Sequence, residues 1–297
     1  IEGLIGELDI KLLKEIEEQD KNLDLVPKKF SINSLIDDSF IKQCYQLLEI
    51  EEGKMEQIWD FISDAYKYAP KHDMFDSKYI TDPELFKILG NIKGKKVIDI
   101  GCGDGFYCRM FANKGARMTG TDISGKMIAI AKSLENKKPQ GIKYFKGDIT
   151  SFNSKNKYDL ALMIFSLDEM TNLDNLNKAV KNVNNLLIKN GKFVFIIPHP
   201  AFLQFQSTKA IERTFKNDFT YFKSGYRYQV KILTERGDVI TVPDVHYTLE
   251  SYSRILYKNN FYIEEIIEPK VSKIGKKKHL EIWKKELIMP FYMIVVA

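Results

Sequence analysis

The residues best equipped for chemistry stand in one decapeptide and at a few positions downstream of it. Residues 97–106 read VIDIGCGDGF, in which Asp99 precedes glycines at 101, 103 and 105. Glycines at alternate positions strip a loop of side chains and let it take positive φ, so another group can approach the backbone. Asp122 follows Gly101 by 21 residues, where its carboxylate can accept hydrogen bonds from both hydroxyls of a ribose. A third glycine at position 106 would complete a dinucleotide cradle, but the chain has Phe106 there. A carboxylate beside the loop repels a pyrophosphate and attracts an ammonium or sulfonium group, by sign of charge. Asp99 and Phe106 therefore both oppose a nicotinamide-dependent dehydrogenase. Two histidines, His199 in IIPHPAF and His246 in VPDVHYTLE, can take a proton near neutral pH. Asp168 and Glu169, in FSLDE, can hold a cationic or hydroxylated partner or start the next helix.

Short elements must position these groups. From Lys95 the strand candidates KKVIDI, ARMTGTD, IKYFKGD, YDLALMIFS and KFVFIIP alternate with the helical candidates FYCRMFANK, GKMIAIAKSLENK and NLDNLNKAVKNVNNLLIKN. That alternation implies βαβ units and a parallel sheet, with ligands at the carboxyl ends of the strands. The first 70 residues have apolar positions at helical spacing, broken at Pro27. ITDPELFKILGNI (80–92) is expected as a helix with Thr81 or Asp82 near its cap, Pro83 in its first turn and Gly90 at its end. After Pro198 the pattern pauses. YFKSGYRYQVKIL and DVITVPDVHY are expected to form a hairpin turning at Glu235–Gly237, followed by the helix TLESYSRILYKNN, the stretch YIEEIIEP and a last strand, MPFYMIVVA. The expected organisation is a helical extension over 1–75, a core over 76–200, an insertion over 201–246 and completion of the core over 247–297.

Composition sets the outer limits. Apolar residues at 44% and charged residues at 29% are ordinary globular values, and 45 basic residues nearly balance 40 acidic ones. The net charge of +5 is concentrated in lysine clusters such as KGKK (93–96), with no basic stripe interleaved with aromatics, which argues against a nucleic-acid face. Cysteines at 44, 102 and 108 form neither a CxxC pair nor a ligand cluster, so no metal is expected. There is no apolar run of roughly 18 residues and no signal-peptide pattern, so a cytoplasmic protein without a membrane partner is expected.

VIDIGCGDGF, with TGTD (119–122) and KGDI (146–149) downstream, resembles a class I S-adenosylmethionine-dependent methyltransferase of small-molecule type. The likeness covers about residues 80–200 plus the final helix and two strands. It implies an α/β fold with a seven-stranded, mostly parallel sheet, helices on both faces, a helical N-terminal extension and an aromatic-rich cap inserted after strand five. It also implies that S-adenosylmethionine lays its amino-acid end along Gly101, Cys102 and Gly103 beside Asp99, with its ribose on Asp122. The adenine would then meet Asp148, with Ile149, Ile123 and Met127 flanking the ring, while Phe165 and Ser166 line the methionine and methyl region. Trp59 and Tyr66 would close the site from above, Tyr66 bonding the donor's carboxylate.

His199 and His246 stand in the HP and H-x-x-L-x-x-Y settings that some of these enzymes carry, so each is expected as a base. The alternative is that His199 caps a turn and His246 packs under the hairpin. Eight aromatic residues between 202 and 228 would roof an apolar pocket, with alternate members forming the cap's own core. LIKNGK (187–192) keeps Lys189 and Gly191 of the family's turn but lacks its proline. The acceptor expected is an oxygen or nitrogen of a natural product, metabolite or peptide-derived molecule. The [ND]-P-P-[YF] signature of amino-methylating nucleic-acid enzymes is replaced by FSLD. An RNA or protein methyltransferase, a domain of a larger assembly (the chain opens at Ile1) and a non-catalytic binding module are the alternatives.

Overall fold

Seven strands assemble into one sheet in an order the chain does not display. β1 (Lys96–Ile100), β2 (Arg117–Asp122), β3 (Lys143–Lys146), β4 (Tyr158–Ile164), β5 (Leu187–Pro198), β9 (Glu265–Ile267) and β10 (Tyr292–Val296) lie in the order β3-β2-β1-β4-β5-β10-β9. β10 pairs antiparallel with both its neighbours, and the other pairings are parallel. The computed structural model describes residues 55–66, 76–205, 211–233, 237, 239–279 and 289–297. The helices expected before residue 55 lie outside them.

Strands buried on both faces explain the continuous apolar runs. Along β4, Leu160, Leu162 and Ile164 pack on one face, while Ala161 and Met163 pack on the other. β5 alternates in the same way, with Phe193, Phe195 and Ile197 opposite Val194 and Ile196. α2 (Thr81–Leu89), α3 (Phe106–Asn113) and α4 (Gly125–Lys137) cover the first face through Leu85, Phe111 and Ile128. α5 (Leu173–Leu186) and α6 (Leu249–Lys258) cover the second through Val180, Val183, Tyr252 and Leu256. A short helix, α7 (Lys273–His279), precedes the last strand.

Local signals set most helix ends. Ser124, Asn172 and Thr248 cap α4, α5 and α6 by accepting the backbone N–H three residues on. α2 begins at Thr81, so Thr81 and Asp82 stand next to its N-cap as expected; the cap itself is Ile80, with no side-chain bond, and both residues are buried. Tyr107 donates its hydroxyl to Asp82 Oδ1 at 2.9 Å, so a tertiary partner holds this carboxylate.

The insertion forms a second sheet. β6 (Ile211–Thr214), β7 (Tyr226–Leu233) and β8 (Val239–His246) pair antiparallel, Tyr226 opposite His246. Tyr226 and Tyr228 are in this sheet's own core, Phe215 and Phe219 pack against it, and Phe205 and Phe222 face solvent. α1 (Met55–Tyr66) also packs here, through Trp59, Phe61 and Ile62.

Candidate functional site

β1 continues to β2 on one side of the sheet and β4 lies on its other side, so the loops leaving β1 and β4 diverge at a topological switch point. The three glycines after β1 all take positive φ, at 73°, 53° and 80°. They serve different ends. A Cβ on Gly101 would stand 2.4 Å from the Ser166 Cβ, and one on Gly105 would stand 2.3 Å from the Tyr144 hydroxyl. The protein's own packing demands those two. A Cβ on Gly103 would meet nothing within 4 Å, so the protein's own packing does not demand this glycine and its backbone stands open.

Asp122 ties that loop to the one after β2. Its Oδ2 accepts from Gly103 N at 2.8 Å and its Oδ1 from Ser124 N at 2.9 Å. Each carboxylate oxygen keeps a second lone pair for a further donor. Burial raises the Asp122 pKa, against the two N–H bonds that lower it. Asp99 is 2% exposed, and the Cys108 thiol donates to its Oδ2 at 3.3 Å. Burial pushes the Asp99 pKa up to about 7; the thiol bond opposes this and the charges of Asp122 and Asp104 add to it. A cation is what this carboxyl lacks. Cys102 is also buried. The Cys108 thiol lowers its pKa, but burial and the neighbouring carboxylates carry it up to about 11, so it is no nucleophile at neutral pH.

α1 lies across the mouth of the site. Asp60 Oδ1 accepts from the Ser124 hydroxyl at 2.5 Å and from Lys126 N at 3.0 Å, and Trp59 Nε1 donates to Glu169 Oε2 at 2.9 Å. The helix thereby bridges the β2 loop and the end of β4. Trp59, expected over the site, bonds the turn after β4 and packs on the inserted sheet, whereas the Asp60 clamp had no signal in the sequence. The Tyr66 side chain lies outside the described residues. Ile123 is half-buried beside Asp122, and Met127 is fully buried on the first turn of α4. Asp148 is exposed, and its Oδ1 accepts from Thr150 N and Oγ1. Ile149 is buried in the sheet core with Ile98 and Ile100, so its side chain serves the fold.

At the end of β4, Phe165 has φ 56°, a conformation uncommon outside glycine and characteristic of functional sites. Its ring meets Tyr292 edge-on at 5.3 Å. Ser166 donates to the Ile100 carbonyl at 2.8 Å, filling the gap over Gly101. The next three residues, Leu167–Glu169, form a 3-10 turn against β8. Asp168 is 6% exposed there, and its Oδ1 has no hydrogen-bond partner. Asp244 on β8 is also buried and accepts from the Tyr228 hydroxyl at 3.2 Å. Burial raises the pKa of Asp168, Glu169 and Asp244; the Asp244 charge adds to the first two, and Arg213 opposes in Asp168 and Asp244.

The two histidines differ. His199 Nδ1 accepts from Ala201 N at 3.3 Å and its Nε2 contacts Glu268 Oε1 at 3.0 Å, so both ring nitrogens are engaged and the side chain caps a turn. His246 is 1% exposed and points Nε2 at the Tyr221 carbonyl, 2.7 Å away. A carbonyl only accepts, so Nε2 carries the proton and Nδ1 is a bare lone pair, without a partner. Burial lowers both histidine pKa values, keeping the rings neutral. Among the described residues no cluster of His, Cys, Asp and Glu could hold a metal, and no helix is long and apolar enough to cross a membrane.

The sheet order is that of the class I S-adenosylmethionine-dependent methyltransferase fold, and the open Gly103 backbone and the acids on β1 and β2 are compatible with it. Residues 98–195 match the family described as a methyltransferase domain. A ubiquinone biosynthesis O-methyltransferase of Coxiella burnetii is 30% identical over 150 residues, 49% of this chain and 62% of that protein. A tRNA (carboxymethyluridine(34)-5-O)-methyltransferase of Schizosaccharomyces pombe is 27% identical over 151 residues, 50% of this chain and 59% of that protein. The chain thus spans about three fifths of the length of these two relatives. The solved structure of an S-adenosylmethionine-dependent methyltransferase from Mesorhizobium loti superposes with TM-score 0.56 at 22% identity, covering 76% of this chain and 99% of that one, a likeness of fold.

Proposed function

We propose that the protein transfers a methyl group from S-adenosylmethionine to an oxygen or nitrogen of a small molecule held between the end of β4 and the inserted sheet. The observation that carries this reading is the roof. β8 packs against the turn that follows β4, and Asp244 and His246 lie on one buried face of that strand. A roofed site with aromatic neighbours suits a compact acceptor better than a polymer. S-adenosylmethionine supplies a methyl already activated on a sulfonium, so much of the protein's task is to align the acceptor for in-line attack.

In this reading Asp122 accepts the ribose hydroxyls, Gly103 lies against the amino-acid end, and Asp99 supplies the negative charge opposite the donor's positive ones. Ile123 and Met127 stand on the adenine side, with Asp148 at its rim. His246, through its bare Nδ1, takes the acceptor's proton; His199 holds the turn after β5. Residues 76–200 and 247–297 form the donor-binding core and 201–246 the acceptor cap. A cytoplasmic location goes with this reading.

The test supplies S-adenosylmethionine with three acceptor pools: a low-molecular-weight cell extract, total RNA and total protein. S-adenosylhomocysteine release with the first alone is expected. Methyl label confined to RNA, the substrate class in the name of the fission-yeast relative, would overturn the small-molecule reading.

A further inference from the structure

At the acceptor end, three buried or half-buried carboxyls converge from separate elements. Asp168 and Glu169 come from the turn after β4, and Asp244 comes from β8. One guanidinium, Arg213 on β6, faces them, and it is already engaged with Asp244 and the Tyr228 hydroxyl. His246, on the same strand as Asp244, is neutral. Fully ionised, the group would carry two negative charges in excess of its positive one. An uncompensated carboxylate in such surroundings costs several kcal/mol or binds a proton in place of a counter-ion. Asp168 is 6% exposed, and its Oδ1 has no hydrogen-bond partner among the described residues, an exception for a buried carboxylate oxygen.

Two aromatic side chains border the acids. Trp59 donates its indole N–H to Glu169, and Tyr228, stacked on Phe215 at 4.9 Å, donates to Asp244. A hydroxyl acceptor would bring one donor and no charge to this site, leaving the excess in place.

We propose that Asp168, Glu169 and Asp244 form a subsite for the ammonium group of the acceptor, so that the protein N-methylates a cationic small-molecule amine. This rests on the small-molecule reading given above. The ammonium replaces the proton that the cluster would otherwise hold. An ammonium has no lone pair, so it first gives one proton to the Asp168 carboxylate. The freed nitrogen lone pair forms the N–C bond to the methyl as the C–S bond breaks, its electron pair passing to sulfur. The product amine leaves as a methylated ammonium, and the proton on Asp168 passes on to His246 Nδ1 or solvent.

Three amines are titrated by calorimetry without the donor, each against an uncharged counterpart: tyramine against tyrosol, putrescine against 1,4-butanediol, and glucosamine against glucose. At least one amine is expected to bind where its alcohol does not, and Asp168→Asn is expected to weaken it about tenfold to a hundredfold, the range for a hydrogen bond to a charged group. Asp244→Asn gives a second, independent loss in case the first variant fails to fold. S-adenosylmethionine affinity, measured in the same proteins, is expected to stay at the wild-type value. Equal binding of amine and alcohol, or no binding of any of the three amines, overturns the ammonium subsite. The small-molecule reading is judged separately by the acceptor-pool assay, so the two can fail independently.

Discussion

Gly103→Ala separates what the loop does for the fold from what it does for the donor. A Cβ at this position meets no atom of the protein within 4 Å, so the substitution creates no clash. The residue keeps φ 53°, and holding alanine in the left-handed region costs about 1–2 kcal/mol. For a chain of this size that corresponds to a fall in melting temperature of roughly 2–8 °C. The methyl group would occupy the space assigned to the amino-acid end of S-adenosylmethionine. Losing one charge-assisted hydrogen bond there costs about 1.5–3 kcal/mol, or roughly a tenfold to hundredfold loss of affinity.

Gly101→Ala is the control. Its Cβ would stand 2.4 Å from the Ser166 Cβ and 2.7 Å from its Oγ. Overpacking of that kind adds about 1–3 kcal/mol to the left-handed cost. Here stability should fall further, and the double variant Gly101→Ala/Ser166→Gly should recover part of the loss. Calorimetry with S-adenosylmethionine and thermal melts of the three proteins read both effects. Gly103→Ala melting a few degrees lower while binding the donor as tightly as wild type would refute the assignment of that space to the donor.

Other outcomes follow from the same geometry. Asp122→Asn places an amide nitrogen against one of the two N–H groups its carboxylate now holds, so the donor affinity measured by calorimetry should drop about tenfold or more. Asp99 has its folded pKa raised to about 7 from 3.8, so its contribution to stability is full below about pH 4 and is lost as pH rises through 7. The cationic donor favours the ionised form. Donor affinity should therefore increase across that window with proton release, seen as buffer-dependent binding heat, and Asp99→Asn should abolish the release. His246→Phe should lower turnover far more than donor affinity, whereas His199→Phe should act mainly on the melting temperature; equal turnover losses would put the proton acceptor elsewhere. Because both histidine pKa values are lowered from 6.5, their stabilising contribution is present above pH 6.5 and is lost on acidification, which pH-dependent melts of the two variants read.

The legible parts of this protein are the ones whose causes are local. Apolar runs of strand length and the loop from Asp99 to Gly105 carry their meaning in neighbouring residues, because φ preference and burial on two faces act over a few positions. The resemblance then placed Asp122 correctly at the end of β2. What the sequence left open was pairing over distance. It made three glycines look equivalent, whereas Ser166, 65 residues after Gly101, and Tyr144, 39 after Gly105, fill two of the three positions. It made two histidines look equivalent, but the Ala201 amide occupies one ring nitrogen while the other histidine keeps a bare one. It placed Asp82 at the start of α2 but gave no sign of its bond from Tyr107.

Sequence alone thus determined the sheet and the conformation of the glycine loop after β1, since backbone conformation and hydrophobic period are written in runs of adjacent residues. The tertiary structure decided which glycines the protein's own packing demands, which histidine keeps a bare ring nitrogen, and that the turn carrying Asp168 packs against β8, which carries Asp244. Those outcomes depend on distances between residues far apart in the chain, and burial and charge act through such distances irrespective of sequence separation.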